Sequence, residues 1–413
     1  MNILIVSQYF WPENFRINDV AVGLKDQGNE ITVLTGKPNY PQGRFFPGYS
    51  FWKINTESHD GIRIIRVPLI PRGTGSKLQL FLNFCSFALI ASIVGPLRCR
   101  AQYDVIFVYE PSPVTVGLPA LLFKRLKGAP IMFWVQDLWP ETLSATGTTD
   151  SRWILWMVES LVRFIYRGCD RILVQSEAFI QSIEQLGVER GRITYLPNSA
   201  EPFYRPIELG GEAPENRSLP AGFRVVFGGN IGKSQSFETI LAAAERVKMY
   251  QDIHWIIVGD GRMFSWVHDE VHKRGLASTV HLLGRQPAES MPRYFALADI
   301  LLVTLRRQPI FALTIPAKVQ SYLACGKPVI AALGGEGARI IRDAQAGFTP
   351  MPEDPDALAE AVLMMYRMPD QERREMGLRG RRYFENHFER NLLLKRLENL
   401  MKEITEGAIA CVS

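Results

Sequence analysis

Two short segments in the second half of the chain each combine glycines, a lysine and the predicted start of a helix. In the first, an apolar predicted strand over 223–227 runs into Gly229, Asn230, Gly232 and Lys233. A helix pattern follows directly. The amides and dipole of a helix N-terminus favour an anion, and a lysine adds positive charge for a phosphate. An ordinary strand-to-helix turn explains this segment equally well when it is taken alone.

The second segment places Lys318 in the first turn of a predicted helix, behind Pro316, a residue type that suits that position. The apolar strand after this helix leads into a glycine loop that carries Glu336. Two turns with glycine and lysine in one domain predict a diphosphate that is held from two sides.

The first predicted strand of the chain ends in a loop with aromatic and charged residues, among them Trp11, Glu13 and Arg16. This loop has no GxGxxG pattern, so a dinucleotide is not expected there. Ligands of open α/β sheets bind at the carboxyl ends of strands, which makes the loop a candidate wall for a substrate. The alternative is that Trp11 only packs against the following helix.

A second pair of candidates follows the apolar strand predicted over 131–135. Asp137 and Glu141 are two carboxylates four residues apart, beside tryptophans. Asp137 could orient a hydroxyl group or accept its proton. It could instead cap the next helix, with Pro140 in the first turn.

Length and composition limit the class of protein. The 413 residues exceed one ordinary core, and 47% hydrophobic with 22% charged residues is typical of globular chains. A net charge of +5 is too small to indicate nucleic acid, but it suits an anionic ligand or membrane surface. The cysteines are scattered through the sequence, which favours free thiols in a reducing cytoplasm. The five are Cys85, Cys99, Cys169, Cys325 and Cys411. The sequence starts directly on a predicted strand, so no signal peptide is expected.

Strand and helix patterns alternate through both halves of the chain, which predicts doubly wound parallel sheets. A stretch rich in proline, glycine and polar residues at about 200–220 is predicted to link two domains. We place the domains at 1–203 and 204–384. The histidines form no cluster with cysteines, so no structural or catalytic metal is expected.

The most apolar stretch of the chain is 78–97. Gln79, Asn83 and Ser86 fall on one narrow stripe at helical spacing, and basic residues flank both ends. Asn83 and Pro96 argue against a membrane span. A helix of this kind could lie in a membrane interface, or it could be buried between elements of the domain.

Five segments together resemble the GT4 family of retaining, nucleotide-sugar-dependent glycosyltransferases. They are YLPNSAEPF, GGNIGKSQ, IIVGDGR, VHLLGR and PAKVQSYLACGKPVIA. The resemblance implies the GT-B fold, two Rossmann-like domains whose parallel sheets face each other across a cleft. The first domain would bind the acceptor and the second the UDP-sugar, and helices in 385–413 would return to the first. Within the family, the chain is particularly similar to the N-acetyl-L-fucosamine transferases of O-antigen assembly (the WbuB type).

The resemblance also assigns roles to residues. Donor-binding roles fall on Gly229, Asn230, Gly232, Lys233, Arg285, Lys318 and Glu336. Many members carry a ribose-binding glutamate where this chain has Ser321, and a second glutamate where it has Leu313, so Glu336 is left to hold the ribose. Many members also have a histidine where this chain has Gln136.

The implied chemistry needs neither a metal cofactor nor a protein nucleophile. The departing phosphate takes the proton of the acceptor, and Lys233 and Lys318 stabilise the diphosphate. The implied acceptor is a sugar on polyprenyl diphosphate in surface polysaccharide assembly. The enzyme would then be peripheral on the cytoplasmic face of the inner membrane. A UDP-sugar 2-epimerase and a non-enzymatic sugar-binding protein are the alternatives, and transfer to a lipid-linked sugar discriminates among the three.

Overall fold

The computed structural model describes residues 1–53, 55–145, 149, 151–210, 213–217 and 219–410, and it forms two compact units. The first unit is Met1–Pro197 together with the chain from Leu393 onward, and the second is Asn198–Leu392. The first boundary therefore lies between Pro197 and Asn198, where the sequence placed it after residue 203. Part of the predicted linker, and Cys411, lie outside the described residues.

The first unit is built on an eight-stranded sheet in the order β3-β4-β2-β1-β5-β6-β7-β8. β3 and β4 pair antiparallel, and the other pairs are parallel. The polar edge strand β3 was missed by the sequence analysis because it lacks an apolar run. The strands are β1 (Asn2–Val6), β2 (Glu30–Gly36), β3 (Asn55–His59), β4 (Ile62–Val67), β5 (Val105–Glu110), β6 (Ile131–Val135), β7 (Arg171–Val174) and β8 (Ile193–Tyr195).

Helices cover both faces of this sheet, which is why β1, β5 and β6 are runs of buried apolar residues. The helices are α1 (Arg16–Asp26), α2 (Lys77–Arg98), α3 (Gly117–Lys127), α4 (Glu141–Ala145), α5 (Arg152–Gly168) and α6 (Phe179–Gln185). α3 packs against both α2 and α5. The three helices therefore lie side by side on the unit.

The second unit has a parallel six-stranded sheet in the order β11-β10-β9-β12-β13-β14. The strand order reverses between β9 and β12, and such a switch point is where open α/β sheets bind ligands. The strands are β9 (Phe223–Gly228), β10 (Ile253–Val258), β11 (Val280–Leu282), β12 (Ile300–Thr304), β13 (Val329–Ala332) and β14 (Gly347–Phe348). The helices are α7 (Pro214–Arg217), α8 (Phe237–Arg246), α9 (Phe264–Lys273), α10 (Met291–Ala296), α11 (Pro309–Leu313), α12 (Ala317–Ala324), α13 (Gly335–Asp343), α14 (Pro355–Arg367) and α15 (Asp370–His387).

The last helix, α16 (Arg390–Ala410), belongs almost entirely to the first unit. Leu397 and Met401 of this helix join the same buried cluster as Ile3 and Ile5 of β1. Burying apolar side chains of this size contributes about 1.5–3 kcal/mol each. The end of the chain therefore completes the core of the unit in which the chain begins.

Candidate functional site

A pocket of about 590 Å³ opens at the switch point of the second sheet. It is formed by the segments that follow β9, β10 and β11, by the first two turns of α12, and by residues shortly after the domain boundary. Of the predicted donor-binding residues, Gly229, Asn230, Arg285 and Lys318 line it. The strand ends and the helix N-terminus therefore bring together residues that lie far apart in the sequence.

The glycine turns after β9 and β10 pack backbone against backbone. The N–H of Gly229 donates to the carbonyl of Val258 at 2.8 Å, and the N–H of Ile231 donates to the carbonyl of Asp260 at 2.9 Å. A Cβ at Gly259 would lie only 1.8 Å from the carbonyl oxygen of Gly229. These two amides therefore bind the neighbouring segment and do not point outward to an anion.

Gly229 also makes room for a lysine. Its φ is +127°, and a Cβ there would lie 2.7 Å from Cε of Lys318. Lys318 is the second residue of α12, and its Nζ lies 3.8 Å from the centroid of the Phe227 ring. Burial lowers the pKa of Lys318 to about 7. A bound anion would restore the full positive charge of this side chain.

Tyr322 holds α12 against the sheet one turn after Lys318. The N–H of Gly228 donates to the Tyr322 hydroxyl at 3.0 Å, and that hydroxyl donates to the carbonyl of Leu302 at 3.3 Å. These bonds tie the helix to the end of β9 and to the middle of β12. Residues i and i+4 share one face of a helix, so the same contact fixes the side from which Lys318 enters the pocket.

Three predicted donor-binding residues do not line this pocket: Gly232, Lys233 and Glu336. Gly232 precedes a short 3-10 segment that begins at Lys233, and α8 begins only at Phe237. Glu336 accepts two hydrogen bonds from Arg339, each 2.9 Å long. The expectation that Glu336 replaces the missing ribose-binding glutamate therefore has no support in its position.

The pocket includes residues that the sequence analysis did not select. Glu201 and Tyr204 come from the segment interpreted as a linker, and Asp260 lies on a turn. Ser321 of α12 was named only as the position where many family members have a glutamate. A composition rich in proline and polar residues gave no reason to place Glu201 or Tyr204 at a site. The segment YLPNSAEPF, which contains Glu201, was the only available signal.

Asp137, the predicted acid–base residue of the first unit, has an acidic neighbour that the sequence analysis missed. Glu110 ends β5, pairs in register with Val135 of β6 and is completely buried. Burial, and next the charge of Asp137, raise the pKa of Glu110 well above its usual range. Burial raises the pKa of Asp137 to about 6. Asp137 is therefore mostly ionised at neutral pH, whereas burial favours the protonated form of Glu110.

Glu13 has a different role from the predicted acceptor contact. Its side chain is buried, at 1% exposure, and Oε1 accepts the N–H groups of Asn39 at 2.8 Å and Tyr40 at 2.7 Å. Burial raises its pKa to about 7. A carboxylate used in this way holds the loop after β2, and it is not presented at the surface to an acceptor.

The other predicted acceptor residues are more accessible. The Trp11 ring stacks on His59 of β3 with centroids 3.9 Å apart. Trp11 also packs against the buried cluster that contains Ile17 of α1, the following helix. Arg16 and Glu141 are the first residues of α1 and α4. These positions neither establish nor remove an acceptor role, which stays a prediction.

Metal ligands do not converge in the described residues: no group of three histidine, cysteine, aspartate or glutamate side chains is placed to hold an ion. The sequence does contain one HxxxH pair, His268 and His272, which lie one turn apart on α9 with ring centroids 4.6 Å apart. Two ligands alone fall short of the three or four that zinc uses.

Comparison with known proteins places both halves of the chain in glycosyltransferase families. Residues 14–199 match the "Glycosyl transferase 4-like domain" model, and residues 222–368 match the "Glycosyl transferases group 1" model. An *Escherichia coli* K12 protein named "Putative colanic acid biosynthesis glycosyl transferase WcaI" is 25% identical, over 79% of this chain and 82% of that protein. The *Pseudomonas aeruginosa* protein named "Probable glycosyltransferase WbjE" is 28% identical, over 71% of this chain and 72% of that protein.

Solved structures with the same fold cover nearly the whole chain. Sucrose-phosphate synthase from *Thermosynechococcus elongatus* superimposes with a TM-score of 0.73 at 17% identity, covering 98% of this chain and 99% of that one. Anabaena Alr3699/HepE, in complex with UDP and glucose, superimposes with a TM-score of 0.66 at 15% identity. The match covers 97% of this chain and 99% of that chain. At these identities the likeness shows the fold alone, and that fold is GT-B. The two family models together match most of the sequence, and this chain therefore belongs to the GT4-like, group 1 glycosyltransferases and is an enzyme of the transferase class.

Proposed function

We propose that this enzyme transfers a sugar from a UDP-sugar to a sugar carried on polyprenyl diphosphate, with retention of anomeric configuration. The observation that carries the donor assignment is the pocket around Lys318, where this half-buried lysine lines a cavity of about 590 Å³ at a switch point. Structures with this fold contain UDP with glucose and UDP-2-fluoro glucose. These complexes support a UDP-sugar for this chain.

The proposed chemistry uses few protein groups. The bond between the anomeric carbon and the β-phosphate oxygen breaks, the acceptor oxygen bonds to the same face of that carbon, and the acceptor proton passes to the departing phosphate. Lys318 stabilises the negative charge that develops on the leaving diphosphate. In the first unit, ionised Asp137 orients the acceptor hydroxyl by accepting its hydrogen bond, and burial favours the neutral form of Glu110 beside it. No step in this scheme calls for a metal cofactor.

A membrane-bound acceptor is favoured by the orientation of α2. Asn83 is fully buried, accepts a hydrogen bond from Gln8 at 2.7 Å and donates to the carbonyl of Ile70 at 2.6 Å. Ser86 accepts the N–H of Ile70 at 2.9 Å. Asn83 and Ser86 of the polar stripe of α2 therefore face the protein, while a set of its large apolar residues faces outward. A helix buried between elements of the domain, the alternative at the sequence level, would show the opposite arrangement.

The outward face of α2 is a continuous apolar stripe at helical spacing. Its ends, Leu78 and Leu97, are 67% and 64% exposed, and by length and composition the helix could cross a membrane. One face remains packed on the sheet through Phe87 and Ala91, so we propose that it lies in the interface instead. The exposed members of this stripe are Leu78, Phe81, Leu82, Leu89, Ile93 and Leu97.

α5 extends this surface on the other side of α3. Trp153 and Trp156 are 65% and 63% exposed, and Phe164 continues the same helical face. Tryptophans with one apolar and one polar side are favoured at the boundary between lipid and water. Exposed Arg98 and Arg152 add attraction to anionic headgroups. We therefore propose a peripheral enzyme on the cytoplasmic face of the inner membrane.

The donor sugar that the family resemblance favours is N-acetyl-L-fucosamine, and the WcaI relative supports a place in surface polysaccharide assembly. The test is to incubate the purified enzyme with a panel of UDP-sugars and with lipid extracts that contain polyprenyl-diphosphate sugars. The expected product is a lipid-linked oligosaccharide one sugar longer, with the donor's anomeric configuration. Epimerised UDP-sugar without any transfer would instead establish the 2-epimerase alternative.

A further inference from the structure

The donor pocket continues beyond Lys318 along the same face of α12. Ser321 lies one turn further, about 4.5 Å along the helix axis, and also lines the pocket. The Tyr204 hydroxyl meets the Ser321 side chain. The Tyr204 ring also stacks on Phe295, with centroids 6.0 Å apart and planes 14° apart. This second subsite is therefore built by Ser321, Phe295 and the residues just after the domain boundary.

Glu201 adds a carboxylate to this subsite. Its carbonyl accepts the N–H of Tyr204 at 2.9 Å, which makes the two residues ends of one tight turn, and both side chains line the pocket. Burial, and next the charge of Glu201, raise the pKa of the Tyr204 hydroxyl that contacts Ser321. The Glu201 carboxylate therefore lies close to Tyr204, at the end of the pocket that Ser321 lines. The group joined to the α-phosphate of a nucleotide is its sugar. A ribose bound at this end of the pocket would present vicinal hydroxyl groups, which are hydrogen-bond donors.

We propose that Glu201 accepts hydrogen bonds from the ribose hydroxyls of the donor nucleotide, so that the enzyme selects ribonucleotide sugars over 2′-deoxyribonucleotide sugars. An ionised carboxylate offers only acceptors, and acidic side chains recognise ribose hydroxyls in the same way in dinucleotide sites. The inference rests on the proposed function in one respect, because it assumes that the diphosphate binds at Lys318.

Other carboxylates fit this role less well. Asp260 also lines the pocket, but its Oδ1 accepts the N–H of Gly261 at 2.7 Å, and its carbonyl accepts the N–H of Ile231. Asp260 is thereby part of the glycine turn and serves as a matched control. Glu336 is paired with Arg339 and does not line the pocket.

The experiment measures UDP, 2′-deoxy-UDP and 3′-deoxy-UDP binding by calorimetry to the full-length enzyme and to the Glu201→Ala, Glu201→Gln, Asp260→Asn and Lys318→Ala variants. The unaltered enzyme should bind UDP about tenfold to a hundredfold more tightly than at least one deoxy analogue, the range for a hydrogen bond to a charged group. Glu201→Ala should lose most of that preference, whereas Asp260→Asn should keep it. Glu201 is exposed, so its variants should fold like the parent enzyme, and thermal unfolding checks this.

The outcomes separate this inference from the proposed function. Lys318→Ala should weaken the binding of all three nucleotides by a similar factor, because the lysine contacts the diphosphate that they share. If the unaltered enzyme binds UDP but does not discriminate, or if Glu201→Ala keeps the discrimination, Glu201 is not the ribose acceptor, while the UDP site stands. If the unaltered enzyme binds no UDP, both proposals are overturned.

Discussion

The Nζ atom of Lys318 lies 3.8 Å from the centroid of the Phe227 ring, at the end of the central strand β9. An ammonium over an aromatic face is attracted by the ring, by about 0.5–2 kcal/mol. The same apolar surroundings remove water from the charge, and burial lowers the pKa of Lys318 to about 7. The side chain is therefore held in position, yet it is only partly protonated at neutral pH until an anion arrives.

This arrangement predicts that UDP binding takes up protons. The bound diphosphate favours the charged amine, so binding should raise the pKa of Lys318 back toward its usual value of 10.5. The affinity for UDP should then fall as pH rises from 7 to 10. Calorimetry in buffers with different ionisation enthalpies should show proton uptake at pH 8. Lys318→Met, which cannot titrate, should show neither effect, and an unchanged pH profile in this variant would assign the titration to another group.

The free energy of unfolding should depend on Lys318 in the opposite way to UDP affinity: it should rise as pH rises. Between pH 7 and 10.5, the unfolded chain keeps a proton on Lys318 that the folded chain has lost. This group therefore makes the folded state without ligand more stable as pH rises through that window. Lys318→Met should remove this part of the pH dependence, which denaturant unfolding at pH 7 and pH 9 would detect.

A second prediction separates the two lysines of the glycine-rich turns. Lys318 lines the pocket and Lys233 does not, although the sequence analysis assigned both to the diphosphate. Lys318→Ala should weaken UDP binding by about 1.5–3 kcal/mol, the typical value for a hydrogen bond to a charged group. Lys233→Ala should weaken it by less than about 1 kcal/mol, as expected for an exposed charge near the site. A larger loss for Lys233→Ala would show that the turn moves onto the nucleotide when it binds.

A third prediction concerns Glu110. Its pKa is raised in the folded protein, so the folded state binds a proton that the unfolded chain releases above pH 4.5. Folding stability attributable to Glu110 therefore falls as pH rises above that value. The Glu110→Gln side chain stays neutral at every pH. The free energy of unfolding of this variant, minus that of the parent, should therefore be larger at pH 7.5 than at pH 4. Unfolding in urea at both values measures this, and an equal difference at the two pH values would contradict a protonated Glu110.

A fourth prediction concerns the membrane surface. Replacing Phe81, Leu89 and Ile93 with glutamine should leave the fold and UDP binding intact, because all three side chains are exposed. The variant should lose co-sedimentation with anionic liposomes and activity on the lipid-linked acceptor. The parent enzyme should also be released by high salt, since each basic residue near the surface contributes about 1 kcal/mol.

The matched control for this variant places glutamine at three exposed apolar positions of the second unit: Met249, Met364 and Leu378. It should keep both liposome binding and transfer. A folded α2 variant that binds liposomes like the parent would exclude α2 as the anchor, and testing Trp153 and Trp156 would then show whether α5 alone suffices.

A fifth prediction is that activity does not require a divalent ion. Within the described residues, metal-ligating side chains do not gather in threes, and the proposed leaving-group stabilisation comes from Lys318. Turnover should persist in EDTA at an unchanged rate. Loss of activity that is restored by adding Mg²⁺ or Mn²⁺ would refute it.

Much of the architecture could be predicted because local patterns decide it. The apolar run of β9, the helix pattern from Phe237 and the proline before α12 each appear in the structure where the sequence placed them. Edge strand β3 escaped detection because a strand covered on one side only needs no continuous apolar run. The orientation of α2 was open for a different reason: periodicity defines the two faces of a helix but not which one meets the protein.

The sequence by itself determined the fold class, the glycosyltransferase family and four residues that line the proposed donor pocket. These depend on short segments whose residue types and spacing constrain the backbone locally. Only the tertiary structure decided which polar groups are available for binding. Glu13 and the amides of Gly229 and Ile231 are engaged inside the protein, whereas Glu201 and Ser321 reach the pocket. The physical reason is that burial and hydrogen-bond pairing arise from segments distant in sequence, which no local pattern records.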